Sequence, residues 1–226
     1  MADTRSGGPS GGNDGPAAEH RLLPSLTVLV LIGLPFLSPV HLDAAHWILG
    51  GLGLALLGAV VFADPGRVDG LSPLVRSLSI VLTSVLVTAA ALVTATLVID
   101  LATGTSTFDS PVSLLVTGGL VWIDVNLTFS LFYWELDGGG AAQRFHKPRR
   151  YPDLAFPQHM SPELAAPGWR PTFVDYLYLG LTNSLAFSPT DVMPLARWAK
   201  LAMSGQSVAS LAILSLAIAN AVNLLN

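Results

Sequence analysis

The stretch LTNSLAFSPTDVMPLARWAK, residues 181–200, connects two apolar segments near the C-terminal end of the chain. Its polar side chains begin inside the preceding apolar segment, at Thr182 and Asn183, and continue to Pro189 and Asp191. Non-helical backbone at membrane depth must be buried in protein or face water, because lipid cannot satisfy its N–H and C=O groups. The stretch is therefore either a surface turn between two spans or part of a segment that enters the membrane and returns.

The composition of the chain is typical of a membrane protein. Hydrophobic residues make up 51% and charged residues 12% of its 226 residues, whereas soluble domains carry about 25% charged residues. Several uncharged runs approach ~20 residues, the length at which a helix crosses about 30 Å of hydrocarbon. The runs are continuous rather than alternating, which argues against a transmembrane barrel. The sequence predicts an all-α, polytopic transmembrane helical bundle.

Five full spans and one shorter segment account for the apolar runs. The predicted spans are residues 22–40, 47–63, 78–99, 112–134 and 201–225, and the shorter segment is 172–188. Residues 1–21 are rich in Gly, Ser and Pro and are predicted to form a disordered tail. Residues 135–171 are predicted to form a polar cytoplasmic loop within a single membrane domain, 22–226.

The distribution of Lys and Arg predicts the orientation. Positive residues favour cytoplasmic loops; here they cluster in the tail, after the second span and in residues 135–171, which places the N-terminus in the cytoplasm. Arg197 and Lys200 would lie outside if segment 172–188 crosses and inside if it re-enters. A helix of that segment's 17 residues reaches only about 25 Å. The sequence slightly favours re-entry over a thin sixth span, and both alternatives stay open.

The C-terminal half is similar to a known group of proteins. The matching features are Trp122, Trp134-Glu135, DYLY at 175–178, FSPTD at 187–191 and the closing NAVNLL, which together cover roughly residues 121–226. In these features the chain resembles uncharacterised bacterial multi-pass membrane proteins that are grouped as a domain of unknown function. The resemblance implies an integral protein of the bacterial inner membrane and implies no activity.

A weaker resemblance connects the same region to the pore segment of tetrameric cation channels. The positions that match in layout are Tyr176, Tyr178, Thr182, Asp191, Pro194, Arg197 and Gly205. A potassium filter is a carbonyl ladder that contains glycine, and LAFSPTD at 185–191 has none. The charge pattern also places this stretch on the cytoplasmic side. Potassium selectivity is therefore not implied.

Asp124 is the strongest single-residue signal. It lies in the middle of the fourth span, where a carboxylate costs about 2.5–3.5 kcal/mol on insertion scales. It shares a helix face with Thr128, one turn later. Asp124 is either a contact for an ion, a proton or a substrate, or a protonated or hydrogen-bonded structural carboxyl group that packs against the last span.

The polar residues of the fourth, short and last segments are candidates for lining a cavity. The candidate lining residues are Asp124, Asn126, Thr182, Asn183, Asp191 and Gln206, and the candidate hinge or packing residues are Gly205, Pro189 and Pro194. Asp191 is also a candidate helix cap or partner of Arg197.

Other residues have structural interpretations. Asp175 is predicted to cap a helix, and Asn220, Asn223 and Asn226 are predicted to form interhelical hydrogen bonds. Small residues spaced by four, Ala217 and Ala221 among them, favour a close helix contact or an oligomer seam. Tyr133, Trp134 and Trp169 are typical of an interfacial aromatic belt.

Two function classes follow. The first is a channel- or transporter-like protein with a polar cavity. The second is a structural or interaction protein whose buried polar residues serve helix packing. No phosphate loop, Ser-His-Asp pattern or HExxH motif occurs, so we expect no enzymatic activity and no cofactor.

The expected partners are the lipid bilayer and, as an alternative to a monomer, a second copy of the chain; nucleic acid is not expected, and the sequence does not identify an ion or solute. His41, Asp43 and His46 resemble zinc ligands, but a site needs at least one more, so no metal is expected.

Overall fold

Long apolar runs form helices in a membrane because a helix satisfies its backbone hydrogen bonds within one segment. The computed structural model describes residues 19–37, 44–66, 68, 72–105, 108, 110–185 and 191–224, without the side chains of 44–46. The main elements are α1 (Leu22–Gly33), α2 (Ala44–Ala63), α3 (Pro73–Thr103), α4 (Pro111–Leu136), α5 (Ala141–His146), β1 (Leu154–Ala155), α6 (Pro157–Met160), α7 (Phe173–Leu185), β2 (Met193–Pro194) and α8 (Arg197–Asn223). Short 3-10 turns occupy Leu34–Leu37, Asp137–Gly139 and Pro162–Leu164. The helical class is confirmed.

Three helices are long and apolar enough to cross a membrane. They are Pro73–Thr103, Pro111–Gly139 and Arg197–Asn223, whereas Leu22–Leu37 and Trp47–Ala63 are shorter apolar helices. The prediction of five full spans is therefore not supported for the first two segments. α1 ends at Gly33 and tightens into a 3-10 turn, because Pro35 lacks the N–H that would continue the helix and its ring crowds the preceding turn.

Serine–proline pairs set the starts of the two central helices. α3 begins at Pro73 after Ser72, and α4 begins at Pro111 after Ser110, whose side chain accepts a hydrogen bond from the Ser113 N–H. Proline suits the first helical position because its missing N–H has no intrahelical partner there. Both helices extend beyond the predicted spans 78–99 and 112–134.

One end of the bundle, here called the charged end, is where α1, α3, α7 and α8 begin and α2 and α4 end. A salt bridge of 2.5 Å between Arg21 and Asp64 joins the start of α1 to the end of α2. An ion pair between Arg76 and Glu135 joins the start of α3 to the end of α4. Every Lys and Arg in the described part of the chain lies at this end, which agrees with the clustering that the sequence predicts.

α7 and α8 begin at the same end of the bundle. Phe173 N–H donates to the carboxylate of Glu19 at the charged end, and Leu185 lies twelve residues, or about 18 Å, further along the helix. Leu154 then pairs with Pro194 in the β1–β2 ladder, so α8 starts where α7 started.

The predicted polar loop 135–171 is a folded cap rather than an open loop. The Asp137 carboxylate is 1% exposed and accepts hydrogen bonds from Leu154 N–H at 3.1 Å and from Tyr176 hydroxyl at 2.5 Å. Arg144 donates to the backbone carbonyls of Asp137 and Trp134. Buried charges need such partners because an unpaired one is costly.

The predicted tail boundary at residue 21 is also corrected. Glu19 accepts a hydrogen bond from the Trp134 indole at 3.0 Å, and Val68 N–H donates to its backbone carbonyl at 2.8 Å. Arg21 forms the salt bridge to Asp64. Residues 19–21 therefore belong to the folded part of the chain.

α4 and α8 approach closely at the far end of the bundle. A Cβ atom added at Gly118 would lie 2.9 Å from the Ala217 side chain, and Ala221 is also buried. Asn220 donates to the backbone carbonyl of Leu101 on α3 at 3.3 Å. The predicted close contact is confirmed for Ala217, and the predicted interhelical hydrogen bond is confirmed for Asn220.

Candidate functional site

Gln206 on α8 is the centre of a buried polar cluster, here called the Gln206 network. Its carbonyl oxygen accepts from Tyr133 hydroxyl at 2.7 Å and from the Asn183 amide at 2.9 Å. Its amide nitrogen donates to Gly180 carbonyl at 2.8 Å and to Ser184 hydroxyl at 2.9 Å. These four bonds use the two donors and two lone pairs of the side chain, and a fifth, longer contact joins the amide nitrogen to Asn126 Oδ1 at 3.4 Å. One fully buried amide thus fastens α8 to both α4 and α7.

Gly180 permits this arrangement because it lets α7 lie directly against α4. A Cβ atom at this position would clash with the Ser130 hydroxyl and would lie 3.0 Å from the Asn126 carbonyl. Ser130 instead donates to that carbonyl at 2.8 Å on its own helix. The sequence alone gives no signal for this role of Gly180, since a glycine in an apolar run has many explanations.

Three of the predicted lining residues come together in the network. Asn126 is 6%, Asn183 8% and Gln206 0% exposed. Asn126 Oδ1 accepts from Gln206 Nε2 at 3.4 Å, and Asn183 Nδ2 also donates to the Met203 carbonyl at 3.0 Å. Their polar atoms bond to one another and to the backbone, so they pack the interface of α4, α7 and α8.

Two other predicted lining residues stay apart from the network. Thr182 donates to the Tyr178 carbonyl at 2.8 Å on its own helix. Asp191 is exposed, two residues before β2. The six predicted lining residues therefore do not come together around one cavity.

The predicted hinge and packing residues have different locations. Gly205 lies on the exposed face of the unbroken helix α8, and a Cβ atom there would meet nothing within 4 Å. Pro194 is part of β2 and pairs with Leu154. Pro189 lies outside the described residues. Their role as hinges stays a prediction.

Asp124 lies outside the Gln206 network. It is partly buried in the middle of α4 and makes no hydrogen bond or ion pair with any residue that the structure describes. The Thr128 hydroxyl, one turn later, and the Trp122 indole N–H are buried and also lack a partner. The structural interpretation of Asp124 as a hydrogen-bonded residue is therefore not met among the described residues.

Asp175 caps α7 as the sequence predicts. Its carboxylate accepts from Thr172 N–H at 2.7 Å and from Thr172 hydroxyl at 2.9 Å. An acid in the first turn also interacts favourably with the helix dipole. The capping prediction is confirmed.

The aromatic-belt prediction is wrong for Tyr133 and Trp134. They are 0% and 5% exposed, because the folded cap covers this end of α4. Their polar tips reach Gln206 and Glu19 rather than the membrane interface. Trp169 is partly buried against Phe156 and His159.

A cleft of about 170 Å³ opens at the charged end, here called the Arg76 cleft. It lies between the start of α3, the end of α4 and the glycine turn at 138–140. Arg76 donates to the backbone carbonyl of Glu135 at 2.8 Å and to its carboxylate. Gly140, at φ +99°, leaves space for this guanidinium, since a Cβ would collide with it. Glu135 is part of the family resemblance in the sequence, but no local pattern there assigns it to a site.

The described residues hold no group of three His, Cys, Asp or Glu side chains placed to bind a metal. His41 and Asp43 and the side chain of His46 lie outside the described part of the chain.

The search against family models, the search of curated proteins and the search of solved structures each found no match. The resemblances in the C-terminal half therefore stay predictions.

Proposed function

We propose that this chain is a structural or interaction protein of the bacterial inner membrane, whose buried polar residues hold a helical bundle together. The observation that carries the proposal is the Gln206 network. Asn126, Asn183 and Gln206 are buried and bonded to one another. A transport pathway through these residues would need to break several hydrogen bonds that join α4, α7 and α8. The proposal assigns the chain no enzymatic activity.

The proposed topology has the N-terminus and the charged end in the cytoplasm. The three long helices cross the bilayer. The shorter helices α1 and α2 form a hairpin that also crosses it. α2 has 20 residues, or about 30 Å, which supports its inclusion. α7 enters the membrane from the cytoplasmic side, and the chain returns to that side before α8 begins. The concentration of Lys and Arg at the charged end supports this orientation.

Reconstitution into liposomes tests the proposal. Purified protein is expected to leave the flux of K⁺, Na⁺, Cl⁻ and H⁺ equal to that of empty liposomes. The Gln206→Leu variant is expected to lose stability without gaining flux. A wild-type flux above that of empty liposomes would contradict the structural proposal.

Asp124 supports a second candidate, a channel- or transporter-like protein. An ionisable side chain within a span is a functional-site hypothesis by default, and Asp124 has no partner among the described residues. This candidate places the pathway beside Asp124 and Thr128, away from the Gln206 network. It predicts a flux that Asp124→Asn changes while expression and thermal stability stay constant. Asp191→Asn, at an exposed position, is the matched control.

A further inference from the structure

We propose that the Arg76 cleft binds the phosphate group of an anionic ligand, and that the ligand is a membrane lipid. The proposal concerns a site separate from the Gln206 network and from Asp124. It does not depend on whether the chain transports a solute. Its support comes from the start of α3, from Arg21 and Arg76, and from an adjoining apolar groove.

The start of α3 provides backbone donors and positive potential. Ser72, Pro73 and Val75 line the cleft, and the first N–H groups of a helix lack intrahelical partners. Ser72 makes no side-chain cap hydrogen bond, and no acid occupies the first turn. A helix N-terminus carries about +0.5 of an elementary charge and favours phosphate groups. Because α3 has 31 residues, its N-terminus carries the full partial charge of a long helix.

Arg21 is an independent observation that points to an anion. Its side chain lines the cleft and the residue is 8% exposed. One terminal nitrogen pairs with Asp64 at 2.5 Å, but the Nε atom is buried without a partner. A buried donor without an acceptor is costly. Because the Nε atom is closed off from solvent, a ligand oxygen in the cleft would accept from it only after Arg21 shifts toward the cleft.

The ionisable groups that line the cleft are Arg21, Arg76 and Glu135, and Asp64 pairs with Arg21 from outside the lining. Two carboxylates thus match the two arginines, and the positive potential comes from the helix end. Arg76 stands in the first turn of α3, where the helix dipole disfavours a cation. Glu135 holds that guanidinium through one nitrogen, Nη1. A bound phosphate would relieve the remaining repulsion and can accept from an arginine through two oxygens.

The size and surroundings of the cleft favour a lipid over free phosphate. Its volume of about 170 Å³ is below the roughly 300 Å³ at which small-molecule sites begin, so it fits a headgroup. A second, narrower groove shares Arg21, Ser79, Trp134 and Glu135 with it. That groove continues between the apolar side chains of Val28, Leu57, Val60, Leu82 and Leu131. That groove has a volume of about 30 Å³, so it holds at most the first carbon atoms of an acyl chain, in the same polar-to-apolar order.

Thermal unfolding in a nonionic detergent tests the proposal on the full chain. The additives are dioctanoyl phosphatidylglycerol, dioctanoyl phosphatidylcholine and sodium phosphate. Binding to the folded state raises the Tm in a saturable way. We expect saturation by the glycerol lipid at a concentration at least tenfold lower than by the choline lipid. If phosphate alone saturates the Tm rise as readily as the glycerol lipid, the same anion site binds a soluble phosphate instead of a lipid.

Two variants locate the binding. Ser79→Leu fills the cleft without changing charge, and Ser77→Leu, exposed on the opposite side of the same helix turn, is its control. Arg76→Gln combined with Glu135→Gln removes both partners of the ion pair, so no buried carboxylate is left unpaired. The double variant keeps the net charge of the site but removes the guanidinium that can donate to a phosphate through two nitrogens, so it is expected to bind at least about fivefold more weakly.

Two results would overturn the proposal. The first is that neither the glycerol lipid nor phosphate produces a saturable rise in the Tm of the wild-type protein. This result needs no variant to fold. The second is that Ser79→Leu and the double variant both retain the wild-type saturation concentration, which would place the binding elsewhere.

Discussion

Leu154 and Pro194 are paired in an antiparallel β ladder, although 40 positions separate them in the chain, and α7 lies between them. Leu195 N–H extends the contact by donating to the Asp153 carbonyl at 2.9 Å. The pairing ties the start of α8 to the cap that follows α4. It places the start of α8 at the end of the bundle where α7 begins.

Gln206→Leu is expected to destabilise the fold by about 2 kcal/mol. Four of the hydrogen bonds of Gln206 to α4 and α7 are 2.7–2.9 Å long, and such bonds average about 0.6 kcal/mol in membrane proteins. Reversible unfolding in mixed micelles measures the change. Ser204→Leu, exposed on the same helix, should change stability little. Equal effects of the two substitutions on stability would contradict a stabilising role of the Gln206 network.

Alanine at two glycines should have opposite effects. Gly180→Ala forces a methyl group against Ser130 and Asn126, and overpacking of this kind costs about 1–3 kcal/mol. Gly205→Ala meets open space and should stabilise α8 by up to about 1 kcal/mol, because alanine favours the helix. Thermal unfolding of both variants checks the signs, and a stable Gly180→Ala protein would contradict the close approach of α7 and α4.

Asp137→Ala should loosen the cap locally and destabilise it by about 3 kcal/mol, the lower range for breaking a buried charge network. The substitution removes the acceptor of Leu154 N–H and of Tyr176 hydroxyl. Hydrogen exchange followed by mass spectrometry should report faster exchange in residues 150–156 and 193–196. Asp191→Ala, at an exposed position, is the control, and unchanged exchange in the Asp137 variant would contradict the buried role.

His159 should make the stability of the cap fall in mild acid. Partial burial lowers the pKa of His159 from its usual 6.5, although Asp137 acts in the opposite direction. Its Nδ1 atom accepts from Phe156 N–H at 3.1 Å, so the neutral ring is the favoured form. The folded-state pKa lies below the unfolded value, so the contribution is complete above about pH 6.5 and declines as pH falls through that value.

Thermal unfolding between pH 5 and 8 measures this dependence. His159→Asn keeps an acceptor and carries no titratable proton, so the acid-side loss of Tm should be smaller in that variant. Identical pH profiles for the wild-type and variant proteins would assign the loss to other groups.

Local signals made part of this structure predictable. The uncharged runs located the long helices, and the charges of Arg197 and Lys200, with the short length of segment 172–188, favoured re-entry. The capping role of Asp175 followed from its place at the start of a helix. These features depend on residues close together in sequence.

Contacts between distant residues were not predictable in the same way. A two-residue ladder such as Leu154–Pro194 leaves no periodic pattern in the sequence. Tyr133 and Trp134 stand where interfacial aromatics usually do, and only the folded cap buries them. Arg76 and Glu135 are 59 positions apart, so the cleft they line had no local motif.

Cysteine labelling tests re-entry of α7 most directly, since the natural chain has no cysteine. Single cysteines at Lys147, Lys200 and Thr105, all exposed, are labelled with a membrane-impermeant maleimide in intact cells and in inverted vesicles. Lys147 marks the charged end and Thr105 marks the opposite end of α3. We expect Lys200→Cys to label from the same side as Lys147→Cys. Labelling of Lys200→Cys from the side of Thr105→Cys would contradict re-entry.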